Sequence, residues 1–263
     1  MDTDVQHSVT QRIEQIIAAR LQNWPPQWEG FHWPGYTYEH TMRVRNLALT
    51  MAGTEGADPH VVGLAALLHD ISKSVGKDHA HVGADEAART LHAFKLPDDL
   101  VQRVHHVIYT HSGENTREHP VENRVLGDAD LIDANFGLVA AWRFITIRAG
   151  RGGAVEETIA GMNEWLPKKD ELMSLLRSDA GVAVARERST AMHRFCTSLA
   201  DAFALPEERN NGMKKMVAYI AAQYERASLS AQMPEIRRLA ESGGGSDMLA
   251  ACNRLEEEMA GTR

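Results

Sequence analysis

Apolar residues recur along this chain at helical spacing. Val5, Val9, Ile13, Ile16, Ile17 and Leu21 predict an amphipathic first helix over 5–21. Glu39 to Ala52 predicts a second, with His40, Val44, Leu47, Ala48 and Met51 on one face. Asp58-Pro59 opens a third, with Pro in its first turn. That helix runs through Gly63-Leu-Ala-Ala-Leu-Leu-His69-Asp70-Ile-Ser-Lys73, an apolar stretch ending in an adjacent His and Asp. Ser72–Lys77 reads as a turn, and Asp78 as the N-cap of a helix reaching Phe94. A helix from Leu96-Pro-Asp-Asp carries Val101, Val104, His105, Ile108 and His111 on one stripe, leaving His106 more exposed. After a polar loop at 112–120, Val121 to Ala134 is helical, and residues 135–149 continue as an apolar helix.

Arg151-Gly-Gly153 breaks the pattern. Helices are predicted at about 154–165, 168–177 and 180–203, then a break at Leu205-Pro206. Helices at about 207–227 and 232–242 follow, then Ser-Gly-Gly-Gly-Ser246 and a last helix to about 259. Between Trp24 and Tyr36, Pro and Gly forbid regular structure while three Trp, Phe31 and Tyr36 crowd together. That stretch is either a loop pinned to the core by its aromatics or a wall over a pocket. No repeat is evident. The fold class is all-α: a helical core over 1–205, and a C-terminal helical appendage over 206–263 suited to packing or to forming a homodimer.

Composition narrows this further. At 263 residues the chain can bury a sizeable core. The 28 basic and 36 acidic residues leave a net charge of −8, with no Lys/Arg-rich tract. This argues against a nucleic-acid or anionic-membrane partner, since both call for concentrated positive charge. No run of about 18 apolar residues suggests a membrane span. The N-terminus lacks the apolar core of a signal peptide. Two distant cysteines, Cys196 and Cys252, suit buried thiols in a reducing cytoplasm, so a cytoplasmic location is expected.

The thirteen histidines change the picture, because they crowd between His32 and His119. An imidazole and a carboxylate delivered into the interior by an apolar helix need a partner. A divalent cation serves, and His with Asp suits Mn, Fe, Co, Ni or Zn. The alternative is a helix C-cap in which His69 bonds the last carbonyls and Asp70 starts a turn. The other inward polar candidates, in order, are His40, His79, His111 and Asp130. Of the carboxylates at 128, 130 and 133, Asp130 is expected to be the buried one, flanked by Ala129, Leu131 and Ile132; the three cannot share a face.

The order His…His-Asp…Asp resembles that of the HD-domain superfamily of metal-dependent phosphohydrolases. Tyr38-Glu-His-Thr-Met-Arg-Val-Arg, Ala65-Ala-Leu-Leu-His-Asp-Ile-Ser-Lys73 and Val125-Leu-Gly-Asp-Ala-Asp-Leu-Ile-Asp133 resemble its helix phrases, covering about 38–135. A weaker likeness to small bacterial HD hydrolases runs on to about 203, through Leu175-Leu-Arg-Ser-Asp-Ala-Gly-Val. The resemblance implies an HD-domain helical bundle with additional C-terminal helices. It implies His40, His69, Asp70 and Asp130 as ligands of one metal, Asp128 being the competing last carboxylate. Two-metal members would add His79, four residues before Gly83, and His111, with His105 or His106 as alternates.

The cofactor implied is a divalent metal ion (Mn, Fe, Co, Ni or Mg), one or two per chain. With one metal, His79 and His111 would bind phosphate or relay protons. Asp70, Lys73 and His111 are the catalytic candidates: Asp70 to orient water, Lys73 to meet phosphate as a point charge. Arg43 is a lesser phosphate candidate, and Glu39 could support a ligand His. The implied activity is hydrolysis of a phosphate ester of a nucleotide or another small phosphorylated metabolite. Two other functions compete: a di-iron oxygenase cleaving a C–C or C–P bond, and a non-catalytic nucleotide-binding regulatory module.

Overall fold

The computed structural model describes residues 3–22, 34–206, 211–243 and 245–262. Among them the chain is helical without strands. The helices are α1 (Thr3–Leu21), α2 (Tyr36–Glu55), α3 (Pro59–Leu68), α4 (His79–Ala93), α5 (Asp98–Thr110) and α6 (Val121–Asn135). They continue as α7 (Leu138–Gly150), α8 (Val155–Glu171), α9 (Asp179–Ala204), α10 (Asn211–Ala222), α11 (Leu229–Gly243) and α12 (Ser246–Met259). Short 3₁₀ segments occupy Lys73–Asp78 and Leu172–Leu175. The aromatic stretch from Trp24 to Trp33 lies outside the described residues. None of the described helices is long and apolar enough to cross a membrane.

The chain divides into two compact units. The first takes in Met1–Trp28, Thr37–Leu131 and Leu176–Val182. Its centre is α3, buried at every position from Val61 to Leu68. A helix apolar on all sides belongs inside a bundle, and α1, α4 and α5 pack against it. From α1, Val9, Ile13, Ile17 and Leu21 are buried, whereas Ile16 is 40% exposed. The i, i+4 stripe suffices to cover that face, so Ile16 falls outside it. Asp58 caps α3, accepting from the backbone N–H of His60 at 2.9 Å and of Val61 at 3.4 Å. Arg103 of α5 bridges Asp58 and Glu122 of α6 at 3.0 Å each. The start of the central helix is thereby fastened to two neighbours.

The second unit takes in Glu29–Tyr36, Ile132–Leu175 and Ala183–Arg263. One apolar cluster runs through it, including Trp142 and Ile145 of α7, Met192 and Leu199 of α9, Val217 and Ile220 of α10, Ile236 of α11 and Leu255 of α12. Residues 135–149 are not one continuation of the preceding helix. Phe136 and Gly137 separate α6 from α7, with Gly137 at φ 98°. A Cβ there would lie 2.5 Å from the Glu258 carboxylate, which accepts from the N–H of Val139 at 3.0 Å. Two prolines that ought to interrupt helices do not: Pro167 lies inside α8 and Pro234 inside α11. α8 buries Ile159, Met162 and Leu166 before its proline, and α11 buries Leu229 before and Ile236, Leu239 and Ala240 after its own. Cys196 and Cys252 are free and buried, and burial pushes the Cys196 thiol up to about 12.

Candidate metal centre

α3 stops at Leu68, and His69 takes the C-cap position. Its Nδ1 donates to the Ala66 carbonyl at 2.8 Å. A carbonyl can only accept, so the ring proton sits on Nδ1 and the lone pair on Nε2. The C-cap bond and a functional imidazole are therefore compatible. The same device recurs twice. His79 Nδ1 donates to Gly76 O at 2.8 Å, and His111, at the C-cap of α5, donates to Ile108 O at 2.6 Å. Three imidazoles on three segments thus present Nε2.

Those nitrogens converge on two carboxylates. Asp70 Oδ2 lies 3.6 Å from His69 Nε2 and 3.8 Å from His40 Nε2. Asp130 Oδ1 lies 3.0 Å from His40 Nε2 and 3.9 Å from His69 Nε2. The other oxygen of Asp70, Oδ1, meets Lys73 Nζ at 3.0 Å and His79 Nε2 at 3.5 Å. Lys73 Nζ also lies 3.2 Å from His79 Nε2. The ring centroids of His69 and His111 are 5.2 Å apart, and those of His79 and His111 are 5.3 Å apart. Within this cluster His69 Nε2, Asp70 Oδ2 and His111 Nε2 are buried without a hydrogen-bond partner. Buried polar atoms are nearly always satisfied. Two nitrogen lone pairs and a carboxylate oxygen left aimed at one another are what a cation would satisfy. Two overlapping sets have the spacing to hold one: His40, His69 and Asp130, and His69, Asp70 and His111.

The electrostatics keep the donors in metal-binding form. Burial pushes the imidazoles of His69 and His79 down, and takes His111 to about 4; neutral rings keep their lone pairs. Burial alone would raise Asp70, but His69, Lys73 and His40 hold it below the usual carboxylate range. Partial burial would raise Asp130 as well, but its bond with His40 holds it down.

The residues nominated from the sequence fall into groups. His40, His69, Asp70, Lys73, His79, His111 and Asp130 come together. Asp128 does not: its carboxylate accepts from the N–H of Arg177 and Ser178 at 2.9 and 2.7 Å, and from the Ser178 hydroxyl at 2.6 Å. It holds the turn before α9, whose first-turn N–H of Gly181 is capped by Ser178 Oγ at 3.0 Å. Asp130 is not the buried member of its trio: its side chain is 21% exposed, whereas Asp128 and Asp133 are buried. The helix turns Asp128 and Asp133 inward and leaves Asp130 at the open edge of the cluster. His105 pairs with Asp85 at 3.0 Å on the surface, and His106 packs against His119. Arg43 is fully buried. At Asp78 the N-cap position is correct, but no side-chain cap bond forms.

Sequence reasoning missed Glu86. It accepts from Ser72 Oγ at 2.6 Å and pairs with Arg20, so α1 and α4 clamp the turn between Asp70 and Lys73. Partners 14 and 66 positions apart leave no local pattern to find.

Residues 37–135 match the HD domain family model. This chain carries an HD domain. HD domains bind divalent metals, and the His and Asp groups gathered here have the spacing to hold one. The uncharacterized protein YpgQ of Bacillus subtilis is 26% identical over 170 residues, covering 63% of this chain and 83% of YpgQ. The crystal structure of YpgQ in complex with ADP superimposes with a TM-score of 0.57 at 23% identity, over 77% of this chain and 97% of that one. A predicted HD superfamily hydrolase from an uncultured Thermotogales bacterium gives a TM-score of 0.52 at 21% identity, over 73% of this chain and 92% of that one. These likenesses establish a shared fold.

Proposed function

We propose that this HD domain is a metal-dependent phosphohydrolase acting on a nucleotide or another small phosphorylated metabolite. The observation that carries the proposal is the buried, unsatisfied pair His69 Nε2 and Asp70 Oδ2, flanked by His40 and Asp130. These four residues would hold the divalent ion, with Mn, Fe, Co, Ni and Mg as candidates. Such an ion, when bound, supplies Lewis acidity toward phosphoryl oxygens and acidifies water.

The protein's own groups do the rest. Asp70, ionised and clamped through the neighbouring Ser72 by Glu86, orients the attacking water. Lys73 places a positive charge beside that carboxylate, where a phosphate would meet it as a point charge. His111, neutral with a bare Nε2, is placed to take a proton. The open edge at Asp130 admits substrate. The ADP complex of YpgQ favours a nucleoside phosphate.

The test is a panel of phosphomonoesters and phosphodiesters, nucleotides included. It is run on protein of known metal content with Mn, Co, Ni, Mg and Fe in turn. Metal-dependent hydrolysis of one substrate class, abolished by chelation, is expected. No hydrolysis with any metal, together with oxygen consumption by the iron-loaded protein, would replace this reading with an oxygenase.

A further inference from the structure

The two oxygens of Asp70 face different surroundings. Oδ2 looks toward His40 and His69 and has no hydrogen-bond partner. Oδ1 looks toward His79 and is already engaged by the Lys73 ammonium, which also bonds His79 Nε2. A carboxylate bridging two cations would have one ion on each oxygen. Here the second of those places is filled by a side chain.

We infer that the Lys73 ammonium stands in the position of a second cation, so the centre takes one metal ion and His79 anchors Lys73 instead of ligating metal. The inference rests on the metal-centre reading above and deepens it. Two observations support it together. The lone pair of His79, fixed on Nε2 by the bond from Nδ1 to Gly76, is spent on Lys73. Its counterpart on His69, fixed in the same way, is not spent on any hydrogen bond. Charge agrees as well. Two carboxylates, one ammonium and one dication leave the cluster with a single positive charge, enough to attract a phosphate. A second dication would raise that charge and crowd the ammonium at hydrogen-bond distance.

The experiment counts ions. Metal-free protein is titrated with Mn²⁺, free Mn²⁺ is read from its paramagnetic resonance signal, and spin coupling between bound ions is sought. The wild type is expected to take up one equivalent without coupling. Lys73→Met, which keeps length and loses charge, is expected to take up a second. His79→Ala is expected to weaken the first ion by less than about threefold, His69→Ala by more than about a hundredfold, beyond the usual cost of losing a supporting residue. Two equivalents in the wild type would overturn the inference, as would a single equivalent in folded Lys73→Met, or a loss above about tenfold in His79→Ala. Should Lys73→Met fail to fold, the wild-type count and His79→Ala still decide. Absence of any bound Mn²⁺ would overturn the metal-centre reading itself. Two coupled ions in an active phosphohydrolase would overturn only the count.

Discussion

His40 Nε2 and Asp130 Oδ1 lie 3.0 Å apart although 90 positions separate them in the chain. The contact joins the first turn and a half of α2 to the middle of α6, and brackets the centre that the end of α3 supplies. Asp130 and Asp128 sit two residues apart on α6 yet serve different ends. Asp130→Ala is expected to lower metal affinity by at least about a hundredfold with little loss of fold. Asp128→Ala is expected to keep metal binding but to lose stability. It strands two backbone N–H groups and a hydroxyl, which is worth about 3 kcal/mol. Calorimetric metal titration and urea unfolding of the pair check this, and the assignment fails if the effects are reversed.

His69→Ala and Asp70→Ala are expected to abolish metal binding and activity while the helical circular dichroism persists. Each removes a buried atom that lacks its complement in the metal-free protein, at the loss of one bond apiece, from His69 Nδ1 to Ala66 O and from Lys73 Nζ to Asp70 Oδ1. Full activity in either variant would contradict the site.

Stability of the metal-free protein is expected to fall with acid. The His111 imidazole sits at about 4 in the fold because burial disfavours its charged form, against about 6.5 when unfolded. The folded state binds that proton less tightly. Stability is therefore complete above about 6.5 and drains as pH falls toward 4, by roughly 3 kcal/mol for this group. His69 and His79 shift in the same direction. Urea midpoints between about pH 7 and pH 4.5 measure the slope, and His111→Gln should flatten it.

Asp58→Ala is expected to cost about 1–2 kcal/mol, because it removes the cap of α3. It also releases Arg103 from its bridge. Gly137→Ala is expected to cost about 2 kcal/mol through its positive φ and through contact with Glu258. Thermal unfolding of both variants checks these values.

The central helix and its terminal His-Asp were legible in the sequence because an uninterrupted apolar run leaves no exposed face. The inward stripe of α2 was equally legible, and His40 rides on it. Elements fixed by distant partners were not. Gly137 hides in an apolar stretch, and its break depends on Glu258, more than a hundred positions away. Pro167 looks like a breaker and divides the pattern in two, yet α8 runs through it, whereas the helix expected over 232–242 already contained Pro234. The exposure of Asp130 could not be judged from its apolar neighbours, since a helix turns adjacent residues in different directions. Glu86 carries no mark of its own.

The three bonds from Nδ1 to the carbonyls of Ala66, Gly76 and Ile108 each span three residues. Ring planes set by so short a loop are fixed before any ion arrives. For His69, the one of the three assigned to the ion, loading then demands little rearrangement, and emptying the centre should leave the ring where it was. Affinity for the ion is accordingly not diluted by the entropy of orienting that ring, and exchange between related metals can proceed without disturbing the helix end that holds it.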